Sequence, residues 1–258
     1  MLEDVFDRLA PQICDSHVHV GKWSDGFHFT PADVSNNLSK LGLRKWAVSS
    51  TSTVDEDYEQ VKSEFNALLV SSPEQVVPLL WVTPEMVNRS EDFSLYSDIP
   101  FRGFKIHRYA NEWDLTGRQI KTLMGAARLK RIPVLIHTGW TPESEAGNFG
   151  GICNEFEDVR IILAHGRPLD QTIKVMGDNA NIYVDTAYMT EEDIGELSQT
   201  LGNDRILFGT DFPLDEYFYP DESIMERYKK RVNTLVAMFG EDVFLTWANR
   251  NFDKVFGV

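Results

Sequence analysis

His17 and His19 stand two residues apart in the run Ile13-Cys14-Asp15-Ser16-His17-Val18-His19, and on an extended chain that spacing puts both imidazoles on one face. Two neutral ring nitrogens side by side suit a divalent ion such as zinc. A third histidine and a carboxylate must come from elsewhere, and one position stays open for water. Alone, a His-x-His pair says little, because packing and surface histidines are common. Its company says more. Pro133-Val134-Leu135-Ile136-His137, Ile161-Ile162-Leu163-Ala164-His165 and Ile206-Leu207-Phe208-Gly209-Thr210-Asp211 each end in a metal-grade side chain, and residues 101–107 end in Lys105-Ile106-His107. Five of the six histidines close strand-like runs, and only His28 sits elsewhere. Any one of them could be a packing histidine, and Asp211 before Phe212-Pro213 could cap a turn. Several unpaired imidazoles and a carboxylate in one cleft would be costly without a metal or substrate.

Side chains so scattered meet where the carboxyl ends of many parallel strands converge, as at the mouth of a closed barrel. Strand-like runs fall at 13–20, 45–51, 76–83, 101–108, 133–139, 159–166, 181–188 and 206–212. Helix-period segments lie between them, at about 31–42, 56–71, 116–130, 169–178, 190–201, 222–239 and 241–256. Thr30-Pro31-Ala32-Asp33 and Thr190-Glu191-Glu192-Asp193 read as helix starts, and Gly240 as a helix stop. The alternation predicts an α/β protein: a single (β/α)8 TIM barrel spanning residues 1–258, with an additional C-terminal helix. An open doubly wound sheet would call for a glycine-rich first turn, which is missing.

Composition narrows the partners. The 258 residues are 42% hydrophobic and carry a formal charge of −15, from 25 basic and 40 acidic side chains. No positive stripe is present for nucleic acid, and no apolar run is long enough to cross a membrane. Cys14 and Cys153 read as free thiols, and the acidic N-terminus lacks the pattern of a signal peptide, so the expected setting is cytoplasmic. A small-molecule substrate is expected; self-association into a homo-oligomer is open.

Asp15-Ser16-His17-Val18-His19, Pro133 to Gly139, Ile162-Leu163-Ala164-His165-Gly166 and Phe208-Gly209-Thr210-Asp211-Phe212-Pro213 together resemble the amidohydrolase superfamily. The branch they look like is that of aminocarboxymuconate-semialdehyde decarboxylase and related small-molecule hydrolases. The tail Asn251-Phe252-Asp253-Lys254-Val255-Phe256-Gly257 resembles its closing helix. The resemblance implies that His17, His19, His137 and Asp211 bind one ion, with His165 beside the bound water or substrate. Gly103-Phe104-Lys105-Ile106 is similar to the context of a carboxylated lysine that bridges two metals in some members. An unmodified Lys105, reaching the mouth beside His107, would instead hold a substrate carboxylate as a point charge.

The expected chemistry is hydrolysis of an amide, ester or lactone. Asp211 serves as general base, and His165 polarises or protonates the substrate. Decarboxylation would use the same parts, and a non-catalytic metal-binding barrel is the reading from another class. Asp15 is expected deeper on the face of His17 and His19, in a supporting role. Arg167 could clamp an anion or simply begin a helix. Trp23, Phe27, His28 and Phe29 could form part of a lid, and Trp140, Phe149, Tyr217, Phe218 and Tyr219 could wall a pocket.

Overall fold

The structure is a computed structural model, and it describes residues 5–23, 27–219 and 221–258. Nine strands make one sheet: β1 (Cys14–Trp23), β2 (Phe27–Phe29), β3 (Lys45–Ser50), β4 (Val76–Trp81), β5 (Gly103–Ile106), β6 (Val134–His137), β7 (Ile161–Ala164), β8 (Ile182–Asp185) and β9 (Ile206–Leu207). Their order is β2-β1-β3-β4-β5-β6-β7-β8-β9. Every neighbouring pair is parallel except β1 with β2, an antiparallel extension that the sequence reading placed in a loop. The expected strand 206–212 is regular only over Ile206–Leu207. Past that point the chain bonds back to β1: Ser16 N donates to Phe208 O (2.9 Å), Asp211 N to His17 O (2.8 Å) and His19 N to Phe212 O (2.7 Å). The sheet therefore curls until its last segment meets its first full-length strand.

Strand alternation sorts side chains into two layers. On β6, Val134 and Ile136 join the large core beneath the helices, while Leu135 points inward; β7 repeats this with Ile161 and Leu163 against Ile162 and Ala164. The inner cluster also takes Cys14, Ala47, Val77, Leu79 and Leu207, and Phe252, Val255 and Phe256 of the last helix plug it. His137 follows Leu135 in phase, so the histidine sits one layer above an apolar floor. The expected helix 241–256 is in three pieces, Glu241–Leu245, a π turn Thr246–Arg250 and Asn251–Phe256. Asn251 Nδ2 donates to Asn203 O and Ile206 O, tying this stretch to β9.

On β1 the phase shifts. Asp15 pairs with Trp46 and Val18 with Val48, so three steps on β1 oppose two on β3. That extra residue is a β-bulge, and a one-residue slip exchanges the faces. Cys14 points inward, yet Val18 and Val20 belong to the outer core. His17 and His19 thus face inside, whereas Asp15 pairs beside outward-packed Trp46. The expectation that Asp15 shares their face is corrected by this bulge. Its carboxylate instead accepts from Thr210 Oγ1 (2.6 Å), Tyr228 Oη (3.1 Å), Thr210 N (3.1 Å) and His17 N (3.0 Å).

Helix starts follow the sequence. Thr30 forms a reciprocal capping box with Asp33, and Thr190 accepts from Asp193 N. Each such cap satisfies backbone donors that would otherwise lack partners.

Candidate metal centre

Three atoms from two strand ends converge. His19 Nε2 lies 2.9 Å from Asp211 Oδ1, His17 Nε2 lies 3.1 Å from the same oxygen, and the two Nε2 atoms are 3.1 Å apart. The outer bonds of the rings decide what those atoms are. His17 Nδ1 sits 2.9 Å from Asp185 Oδ2, and a carboxylate can only accept, so Nδ1 carries the proton and Nε2 a lone pair. His19 Nδ1 has Ser49 Oγ at 3.0 Å. His165 Nδ1 faces Ala187 O at 3.2 Å, which leaves His165 Nε2 to accept from His137 Nδ1 at 3.2 Å. His137 Nε2 is then a lone pair, buried and without a partner. Asp211 Oδ1 likewise has no hydrogen-bond partner, despite its close neighbours.

Buried acceptors crowding one point repel each other unless a cation or a proton lies among them; the Lys105 ammonium meets His17 Nε2, while Asp211 Oδ1 and His137 Nε2 keep no partner. Donor atoms sharing a zinc ion at about 2.0–2.1 Å stand roughly 3 Å apart, which matches the spacings here. The chemistry of the set, two imidazole nitrogens and a carboxylate oxygen, suits such an ion. His17, His19 and Asp211 form one such group, and His17, His165 and Asp185 a second that shares His17. His137 falls in neither group; its ring stacks on His107 with centroids 3.7 Å apart and meets His165 edge-on.

Asp185 closes β8 and was passed over in the sequence, although Ile182-Tyr183-Val184-Asp185 carries the same signal as the other runs. Its second oxygen accepts from His165 N and Ala187 N, each at 3.0 Å, so one carboxylate braces two histidines. Ser49 is a second residue that sequence reasoning missed, for want of any motif around it.

The backbone is strained where these groups meet. Trp140, His165, Tyr188 and Asp211 all have positive φ, at 68°, 69°, 56° and 62°, and all follow strand ends at the same rim. Left-handed conformations cost non-glycine residues free energy and persist where the surroundings over-determine them. Gly209 serves close approach: a Cβ there would stand 2.9 Å from Ser16 Oγ and 3.1 Å from His17 Cβ.

Burial, then the charge of Lys105, pulls the His17 imidazole well below its ordinary value. Burial does the same for His107 and His137 and lowers His165. Burial would raise the Asp211 carboxyl, but the facing His17 and His19 rings hold it below the usual carboxylate range. Neutral imidazoles beside an ionised carboxylate are the protonation states a metal ion requires.

Lys105 is 1% exposed, and its Nζ donates to His17 Nε2 at 3.0 Å. Burial lowers its pKa to about 8. With His19, His107, His137 and Asp211 it lines a cavity of about 260 Å³ at the mouth. Trp23, Trp81, Tyr109, Trp140, Tyr188 and Phe218 make the aromatic wall. Trp81 stacks on His107, with 7° between the planes. Phe149, expected in this wall, is fully buried in the outer core, because its short 3-10 turn packs it beneath the helices. The Tyr217 side chain lies outside the described residues, and Tyr219 lines a neighbouring chamber. His28 lies on β2, opposite Lys22, and is exposed.

The profile of the amidohydrolase family matches residues 14–230. None of the curated proteins matches the sequence. Among solved structures, a probable 2-pyrone-4,6-dicarboxylic acid hydrolase of Acinetobacter baumannii with citric acid bound superposes with a TM-score of 0.70 at 13% identity, over 96% of this chain and 100% of that one. A 5-carboxyvanillate decarboxylase of Novosphingobium aromaticivorans with bound manganese gives 0.70 at 13% identity, over 99% and 98%. An amidohydrolase of Burkholderia multivorans with bound zinc gives 0.68 at 11% identity, over 95% and 99%. With the family match spanning β1 through β9, the chain belongs to the amidohydrolase family, in the amidohydrolase-related branch that its strand-end motifs resemble.

Proposed function

We propose that the protein is a metal-dependent hydrolase of a small carboxylated molecule, acting on an amide, ester or lactone bond. In this reading the curled sheet is a closed (β/α)8 barrel with one additional C-terminal helix. One divalent ion, zinc, is held by His17, His19 and Asp211, with the orphaned Nε2 of His137 as a further ligand. The observation that carries the reading is the meeting of His17 Nε2, His19 Nε2 and Asp211 Oδ1 within 3.1 Å of one another, at an aromatic-walled cavity that His19 and Asp211 line.

Held by these residues, the ion would supply Lewis acidity to the scissile group and to an attacking water. Asp211 is the one carboxylate among the described residues of the cavity wall. Held ionised, it takes the proton of the attacking water and later returns it to the leaving group. His165, braced by Ala187 O and Asp185, would protonate or polarise the substrate from the other side through Nε2, once that atom leaves His137 Nδ1 and takes up a proton. Lys105 and His107 orient the reacting end, and the aromatic wall excludes bulk water.

Decarboxylation is the second reading. It is supported by similar structures described as 5-carboxyvanillate and 2,6-dihydroxybenzoate decarboxylases. There the same residues would hold the acid while a proton is delivered to carbon. The test is a panel of lactones, amides and carboxylated aromatics offered to protein reconstituted with zinc or manganese. New carboxylate is measured against released carbon dioxide. Acid formation without carbon dioxide bears out the hydrolase, carbon dioxide release moves the assignment to the decarboxylase, and bound metal with no turnover overturns both.

A further inference from the structure

Beside the mouth lies a larger chamber of about 470 Å³, and Trp140, Tyr188 and Phe218 line both spaces. These rings form a shared wall: Trp140 stacks on Phe218 at 6.2 Å with 6° between planes, and Tyr188 meets both edge-on. The chamber holds Arg167, Arg227 and Arg231 together with Asp215 and Glu191. Arg231 is spoken for, by Glu191 Oε1 at 2.6 Å and the carbonyls of Met189 and Thr186. Arg227 Nε is bonded to Asp215 Oδ2 at 3.1 Å. Two cations are thus matched by two carboxylates.

Arg167 is the remainder. Among the described residues it makes no ion pair; Nη2 donates to Tyr188 O at 2.7 Å, and the guanidinium lies over Trp140, 4.7 Å from the ring centroid. It is nonetheless fixed in place. Its backbone N donates to Thr138 Oγ1 (3.0 Å), and its stem crosses Gly139, where a Cβ would stand 2.7 Å from Arg167 Cβ. A half-buried guanidinium has five donors, and leaving it without a counter-charge is costly. Tyr188, whose hydroxyl is buried and unpartnered, stands in the same wall.

We propose that this chamber is a second compartment of the substrate site, and that Arg167 grips there a carboxylate on an arm of the substrate reaching past the Trp140–Tyr188–Phe218 wall. The class follows from charge. With Arg227 and Arg231 matched, the chamber has one positive charge to offer, which suits a singly charged carboxylate better than a phosphate dianion. The planar guanidinium also presents the fork that a carboxylate takes. The proposal rests on the functional reading only for the reacting half of the molecule; the chamber's own chemistry needs no metal.

The test therefore uses the full chain after chelator treatment, titrated calorimetrically with 4-phenylbutyrate and with 4-phenylbutyramide. The acid is expected to bind at least about tenfold more tightly than the amide, a margin of ~1.4 kcal/mol. Arg167→Met should erase that margin, Arg167→Gln should do the same should the first variant fold poorly, and Lys174→Met, at an exposed cation outside both spaces, should keep it. No margin in the wild type, a margin surviving loss of the guanidinium, or one lost with Lys174 overturns the proposal. Tighter binding of 3-phenylpropylphosphonate overturns the carboxylate class. Zinc uptake, measured separately by elemental analysis, tests the metal reading, so the two can fail independently.

Discussion

Asp185 Oδ2 lies 2.9 Å from His17 Nδ1, while its partner oxygen accepts from the backbone N–H groups of His165 and Ala187. One buried carboxylate at the end of β8 thereby fixes the tautomer of the ring at the centre of the cluster and the position of the histidine beside it. Asp185→Asn would turn an amide toward either His17 Nδ1 or two backbone donors, and one side loses its acceptor. Zinc affinity is expected to fall about 10- to 100-fold, the usual cost of losing such an outer partner. Competition with a chromophoric chelator measures it, and an unchanged affinity removes Asp185 from the centre.

Asp211 is the group on which the chemistry turns. Asp211→Asn is expected to lower kcat by about 10²–10⁴, the range for a lost general base, with the fold intact by circular dichroism. The side chain's backbone placement does not depend on its charge, since Asp211 N bonds to His17 O. Rates near wild type would take Asp211 out of the mechanism.

Much of this arrangement is readable in the chain before it folds. The β-branched runs ending in His107, His137, His165 and Asp211 give the strand order and the common rim, because parallel strands bring their carboxyl ends together. The bulge between Asp15 and Val18 is not readable. Nothing local marks it, and it arises where β1 must pair with β3 on one side and bond to residues 208–212 on the other. Asp15 was misplaced for that reason. Asp185 was missed although its run has the right pattern, because a single aspartate after Tyr183-Val184 reads equally well as the end of a strand. The separation of Lys105 from His107 also depends on tertiary placement: one bonds into the cluster and the other stacks between Trp81 and His137.

Four buried imidazoles, those of His17, His107, His137 and His165, are held below their ordinary values by burial. The sign follows from proton counting. Below the unfolded value of about 6.5 the unfolded chain binds protons that the folded one does not, so stability falls as pH falls. Asp15, raised to about 7 by burial, and Asp185 and Asp215, raised for the same reason, act in the opposite direction. With four groups against three, metal-free protein should lose stability from pH 6.5 to 5 in urea melts. His107→Phe removes one group and should flatten the slope by up to about 1.4 kcal/mol per pH unit. A slope unchanged in that variant would mean His107 is protonated in the fold.

Lys105 is the residue whose two possible roles lead to opposite measurements. Its ammonium rests on His17 Nε2 at 3.0 Å, close enough to neutralise the lone pairs and to meet a substrate carboxylate at the cavity floor. As a point charge it should affect binding, so Lys105→Ala is expected to raise KM for a carboxylated substrate about tenfold or more, the scale of one charged hydrogen bond, and to leave zinc content at one per chain. As a carboxylated bridge it would instead carry a second zinc equivalent, which the same substitution would abolish. pH adds a further discriminator. Burial sets the Lys105 pKa at about 8, so the amine loses its proton, and its grip on an anion, as pH rises through that value. KM should climb above pH 8 in the wild type and stay level in Lys105→Ala; a flat wild-type profile together with two zinc ions per chain would assign the carbamate.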